Sequence, residues 1–192
     1  MRSPHAHARI GRIEIAAALA TPGVIAVFTG GDAAADGVKP VTHSPMPGNP
    51  HEEMIRAPDV AFIAPHPPMP AGRVRFVGEV VAMVVADTHA AARDGAERVD
   101  VEWTPLPAVT TSIAAAAPSA PILYDATMSN VCVDVKLGDA AAVDAAFSRA
   151  AHVVQLDTWV HRITGVPMEP RTAVGAWDAA SGPSPHRPGR AD

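Results

Sequence analysis

Cysteine is almost missing from this chain. Among 192 residues Cys132 stands alone, which excludes an internal disulfide and any zinc or iron–sulfur cluster built on cysteines of this chain. Aromatic residues are scarce at 4%, so the core must come from Val, Ile, Leu and Ala. No apolar run approaches the ~20 residues that a membrane helix needs, and the apolar stretch near Val80–Ala86 is the length of a strand. The N-terminus lacks a signal core because Arg2, His5, His7, Arg9 and Arg12 interrupt it. Excess positive charge is absent too. The formal net charge of −5 does not supply the dense basic face that displaces phosphate counterions. These absences point to a soluble, cytoplasmic α/β protein with neither a membrane nor a nucleic-acid partner.

What is present is an apolar fraction of 48% against 18% charged residues, enough to bury a core. There are 20 prolines, about twice the usual share, clustered in 39–72, 104–121 and 182–188. The start, "ARIGRIEI", alternates imperfectly and predicts a strand over Ala8–Ile15. A short helical run, Ala16–Ala20, ends at Pro22–Gly23. "VIAVFTG" reads as a buried strand. Gly30–Gly31 lack the spacing of a phosphate loop and read as a glycine turn before a short helix. From Asp32 to Arg73 periodicity is lost and a long loop is expected.

The strongest pattern is "RVRFVGEVVAMVVADTHAAARDGAERVDVEWT". It predicts a strand over Val77–Ala86, an N-cap at Asp87 or Thr88, a helix of about three turns and a second strand with Val99, Val101 and Trp103 facing inward. Strand, helix and strand make a βαβ unit, with parallel pairing the default if both strands share a sheet. Prolines 105 and 107 end it. The stretch from Thr110 to Ala126 looks like a linker. Beyond it a short strand around Cys132, a helix capped by Asp139 with Val143 and Phe147 on one face, a long strand over His152–Ile163 and another over Arg171–Asp178 are expected.

The polar motifs are weak one by one. His5 and His7 could pair on a metal, but no third ligand has suitable spacing, and a surface or loop pair is the better reading. His51 begins "HEEM", which lacks the second histidine of a zinc-protease helix. Cys132 reads as a small buried apolar residue. In "MEPR", Glu169 and Arg171 share one face of an extended strand and can form a structural ion pair.

Taken in order, "RSPHAHARI", "PGVIAVFTGGD", the βαβ stretch, "LGDAAAVDAAFSRAAHVV" and "HRITGVPMEPRTAVGAWDAASG" resemble one family. It is the molybdopterin-binding large subunit of the xanthine dehydrogenase / aldehyde oxidase family, which includes the carbon monoxide dehydrogenase large chains. The resemblance implies an α/β hammerhead domain over residues 1–109, a linker over 110–129, the incomplete start of a first molybdopterin-binding domain over 130–182 and a disordered tail over 183–192. It implies oxidative hydroxylation of aldehydes or N-heterocycles with oxygen from water, a molybdenum cofactor, a glutamate base, and partners: the remainder of the large subunit, an iron–sulfur small subunit and an FAD-binding medium subunit. Val80 stands where the family often has proline, and His161 where glutamine is common. After Gly182 the sequence "PSPHRPGRAD" departs from the family, and its prolines argue against a further strand. The expectation is therefore a fragment that holds no cofactor alone. No catalytic, cofactor-binding or metal-binding residue is assigned; Glu169 and Arg171 are assigned structural support near the cofactor domain. The alternatives are a non-catalytic assembly module or a non-functional gene remnant.

Overall fold

A computed structural model describes residues 1–41, 61–136, 138–160, 168, 176–178 and 182–184. The chain divides into two compact units, Met1–Gly138 and Asp139–Asp192. In the first, strand β1 (Ala8–Glu14) is followed by helix α1 (Ala16–Leu19), strand β2 (Val24–Thr29) and helix α2 (Gly30–Ala35). Strand β3 (Arg73–Val74), strand β4 (Ala82–Ala86), helix α3 (His89–Glu97), strand β5 (Asp100–Pro105) and helix α4 (Ser112–Ala116) complete it.

All pairing described in this unit is antiparallel. One sheet has the order β3-β1-β5 and the other is the β2–β4 ladder. This corrects the expected parallel βαβ unit. Strands β4 and β5 flank α3 but lie in different sheets, because each finds its partner among the earlier strands. The imperfect alternation of β1 has a local cause. The register shifts between Ile10 and Ile13, so that Ile10 faces Trp103 while Ile13 faces Val101. Trp103 and Val101 are two apart and share a face, so the bulge turns both isoleucines toward the core.

The two sheets share one core of Ala8, Ala18, Val27, Val74, Val81, Ala82, Val99 and Val101, flanked by Ile10, Ile13, Ile15 and Trp103. Helix α3 starts where the Thr88 side chain accepts from the Ala91 amide at 3.1 Å. It packs on the β2–β4 ladder through Gly95, where only a missing Cβ leaves room for Val24 and Val84. The expected short helix is present as α2, but it takes in both glycines of the expected turn and the start of the expected loop, and the Asp32 carboxylate accepts from both the amide and the hydroxyl of Thr29, each at 2.7 Å. The long strand expected over Val77–Ala86 is shorter than its apolar run. Gly78 takes φ +88 and Glu79 turns its carboxylate back to the Arg75 amide, which makes a turn of 75–79. Part of the expected loop, residues 42–60 with His51 among them, lies outside the described residues.

The second unit contains helix α5 (Ala140–Arg149), capped by Asp139 accepting from the Ala142 amide at 2.9 Å. Strands β6 (Ala176–Asp178) and β7 (Gly182–Ser184) form an antiparallel hairpin. The strand expected over His152–Ile163 is absent from its described part, since residues 152–160 are neither helix nor strand. A strand needs a neighbour to satisfy its backbone, and among the described residues 152–160 form no ladder. The hairpin corrects the expectation that the prolines after Gly182 prevent a strand. Pro183 lies opposite Trp177 in a two-stranded ribbon. Alternate residues of an antiparallel ladder exchange no hydrogen bonds, and the missing N–H of proline is tolerated at such a position on an edge. Residues 185–192 lie outside the described residues.

Candidate functional site

The two N-terminal histidines go separate ways. The His5 ring meets the edge of Trp103 with centroids 5.3 Å apart. Of the expected surface or loop pair, both histidines do lie in the loop before β1, but His7 is buried and not at the surface, and its Nδ1 lies 2.8 Å from the Pro107 carbonyl. A carbonyl can only accept, so Nδ1 carries the proton. The peptide oxygen of His7 accepts from the Leu106 amide at 2.9 Å. His7 thus ties the exit of β5 to the chain start. Its Nε2 is the one buried side-chain nitrogen or oxygen among the described residues without a hydrogen-bond partner.

The polar constellation of this unit lies elsewhere, on β3 and the segment expected to be a linker. Arg73 and Arg75 alternate with buried Val74. Arg73 Nη1 donates to Asp125 Oδ1 at 2.9 Å. The Arg75 guanidinium lies 4.4 Å from the centre of the Tyr124 ring, and its Nε donates to the Leu123 carbonyl at 3.2 Å. Phe62 also packs on Tyr124, with the two ring centroids 5.2 Å apart. Burial pushes the Tyr124 hydroxyl above its usual pKa, against the pull of Arg75 and with that of Glu79. Asp125 is held below the usual carboxylate range, first by the hydrogen bond from Arg73 and then by its charge.

Asn130 closes the constellation. Its Oδ1 accepts from the Leu123 amide at 2.9 Å, and its Nδ2 donates to the carbonyls of Ala115 at 3.1 Å and Pro121 at 3.0 Å. The stretch 110–130 is therefore a strap bound to the first sheet. Sequence reasoning missed Arg75, Tyr124 and Asn130. The signals available were two arginines at period two beside Val74, and the placement of the only tyrosine of the chain.

Chemically the constellation holds and orients; it contains no nucleophile beside a base. Cys132 is exposed, contrary to the buried reading, and its carbonyl accepts from the amides of Ala61 and Phe62. No three His, Cys, Asp or Glu side chains among the described residues converge as metal ligands. A shallow, mostly apolar depression of 370 Å³ is lined by Met1, Arg2, Met69, Val80, Met83 and Ala92 among others. Glu169 and Arg171 lie outside the described residues. No helix among the described residues is long and apolar enough to cross a membrane.

Known proteins give this architecture its context. The carbon monoxide dehydrogenase large chain of Hydrogenophaga pseudoflava is 33% identical over 95% of this chain, which spans 22% of that relative's length. The crystal structure of quinoline 2-oxidoreductase from Pseudomonas putida 86 superposes with a TM-score of 0.57 at 37% identity, covering 69% of this chain and 15% of that one. The Cu,Mo-CO dehydrogenase structure superposes with a TM-score of 0.59 at 27% identity, over 79% of this chain and 18% of that one. Residues 1–107 match the family described as aldehyde oxidase and xanthine dehydrogenase, a/b hammerhead domain. With the two antiparallel sheets around one Val- and Ala-rich core, this match shows that the chain belongs to the aldehyde oxidase and xanthine dehydrogenase family and carries its a/b hammerhead domain.

Proposed function

We propose that this chain supplies the hammerhead portion of a molybdenum hydroxylase large subunit, and that by itself it neither holds the molybdenum cofactor nor turns over substrate. The observation that carries the reading is the family match over residues 1–107 in a chain that spans 22% of a carbon monoxide dehydrogenase large chain. In this reading residues 130–182 belong to a first cofactor domain, with Glu169 and Arg171 as structural support. The remaining large-subunit length, an iron–sulfur small subunit and an FAD-binding medium subunit are the partners, and the setting is cytoplasmic.

The described residues do not fit the cofactor. They converge on no metal-ligand cluster, and the depression near Met1 is shallow and mostly apolar, with Arg2 the one charged side chain in its lining, too few polar groups to orient a pterin together with its phosphate. No step is derived through the cofactor. The role left to these residues is to present a rigid sheet-and-strap body for the larger subunit. Elemental analysis of the purified chain, expressed in a host that makes the cofactor, tests the reading. Molybdenum far below one atom per chain is the expected result; close to one atom per chain contradicts it.

A further inference from the structure

We propose that Asp36 and Gly37 form a site of spontaneous aspartate isomerisation, at which the chain modifies its own backbone just past helix α2. The sequence holds the dipeptide Asp–Gly twice, at Asp36–Gly37 and at Asp94–Gly95. The local chemistry is the same at both. Glycine has no Cβ to shield its amide nitrogen or to restrict the rotations that bring it against the preceding carboxyl group. The fold treats the two pairs differently.

The reaction needs no reagent beyond water. The Gly37 amide nitrogen forms a bond to Asp36 Cγ, a carboxyl C–O bond breaks, and that oxygen leaves as water with the amide hydrogen and the carboxyl hydrogen. The five-membered succinimide then takes the water back. Opening at the side-chain carbonyl restores aspartate. Opening at the main-chain carbonyl leaves isoaspartate, whose backbone runs through Cγ and is longer by a methylene.

At Asp36 the structure leaves room for this closure. Asp36 is the C-cap of α2, and Gly37 follows it at φ +69. Both are exposed, and a Cβ built on Gly37 would meet nothing within 4 Å. The Gly37 amide donates to the Ala34 carbonyl at 3.1 Å, and the Val38 amide donates to the Ala33 carbonyl at 2.9 Å. These two bonds must open before the nitrogen can attack. They close the last turn of a six-residue helix in which only Gly30 is buried. Fraying at such an end lies at the low end of local opening free energies.

Asp94 is exposed too, but its glycine is held. Gly95 is buried inside the nine-residue helix α3, where each amide belongs to the repeating hydrogen-bond ladder. Val24 and Val84 press on it from the sheet. Swinging the Gly95 nitrogen onto Asp94 Cγ requires α3 to unwind from the β2–β4 ladder, which opens the core.

Ageing the purified full chain at neutral pH, then mapping its peptides by a fragmentation method that separates isoaspartate from aspartate, tests the site. Isoaspartate at position 36 should grow with time and exceed that at position 94 by at least about tenfold, in line with their local opening. In urea both positions should react alike. Methyl transfer to the aged chain by an isoaspartyl methyltransferase should give the same count. Asp36→Glu, which would have to close a six-membered ring, should remove most of that methyl acceptance and leave the melting temperature unchanged. Equal reaction at 36 and 94 in the folded chain overturns the proposal. So does an unreacted Asp36 over a period in which the urea-unfolded chain isomerises there, and so does methyl acceptance that persists undiminished in Asp36→Glu.

Discussion

Gly95 sits where helix α3 presses on the β2–β4 ladder. An added Cβ there would come within 2.8 Å of Val24 Cγ2 and 3.1 Å of Val84 Cγ1. Glycine ordinarily costs a helix ~1 kcal/mol relative to alanine, yet both neighbours are β-branched valines with little χ1 freedom to give way. Overpacking of this kind costs about 1–3 kcal/mol. Gly95→Ala should therefore destabilise the chain by about 1 kcal/mol net, measured by denaturant unfolding, where an exposed helix would gain. Gly30 is more constrained still, since a methyl group there would overlap the backbone of Pro70 and Ala71.

Acid sensitivity is also set residue by residue. Asp32 is held below the usual carboxylate range, first by the Thr29 hydroxyl and then by the Thr29 amide, as Asp125 is by Arg73. A depressed carboxylate contributes stability that is present above its unfolded pKa of about 3.9 and is lost as pH falls through the folded value. The melting temperature should fall as pH drops below about 4. The double variant Asp32→Asn, Asp125→Asn should show a shallower fall over the same range.

Among the elements, the strap 110–130 departs most from its sequence. Its alanines and prolines read as a linker, and they do make little structure of their own beyond α4. What fixes it is Asn130 with three hydrogen bonds, the Arg75–Tyr124 stack and the Arg73–Asp125 bridge. The last two join positions 49 and 52 residues apart, which local pattern cannot reveal. Leaving a half-buried group unpaired costs about 1–3 kcal/mol. Asn130→Ala should lower stability by an amount in that range and speed exchange of the Leu123 amide, with the core amides of β1 and β5 unaffected.

Strands β1, β2 and β5 and helix α3 are legible in the sequence through local pattern: an imperfect alternation in β1, an apolar β-branched run in β2, a strict alternation in β5 and an alanine-rich run behind an N-cap in α3. Their pairing is not. Antiparallel ladders between β2 and β4, and between β1 and β5, depend on contacts across the whole unit. Of the candidate site, only the family motifs are readable. Glu169 and Arg171 keep the role the resemblance gave them as a proposal. The buried His7 and exposed Cys132 reverse their composition-based readings, since a histidine's burial depends on a carbonyl such as that of Pro107, a hundred residues away.

At the scale of the whole molecule the two units differ in kind. Among the described residues, the first has a core of eight buried apolar residues shared by two sheets. In the second, no residue of α5 is buried, and Val154, Leu156 and Val160 stand in solvent. Its described parts, a helix, an extended segment and a two-stranded antiparallel ladder, lie below the size at which strands and helices stabilise one another. The fold thus puts the boundary of autonomous stability after the strap, near Gly138, rather than at the end of β5. Exposed apolar segments of this kind invite proteolysis and association.

Limited proteolysis followed by intact-mass analysis tests this account most directly. The account predicts rapid loss of residues beyond about Gly138 and a resistant product that retains Asn130 and melts like the parent chain. A full-length chain that resists digestion, or trimming that stops near Val109 and releases the strap, would contradict it.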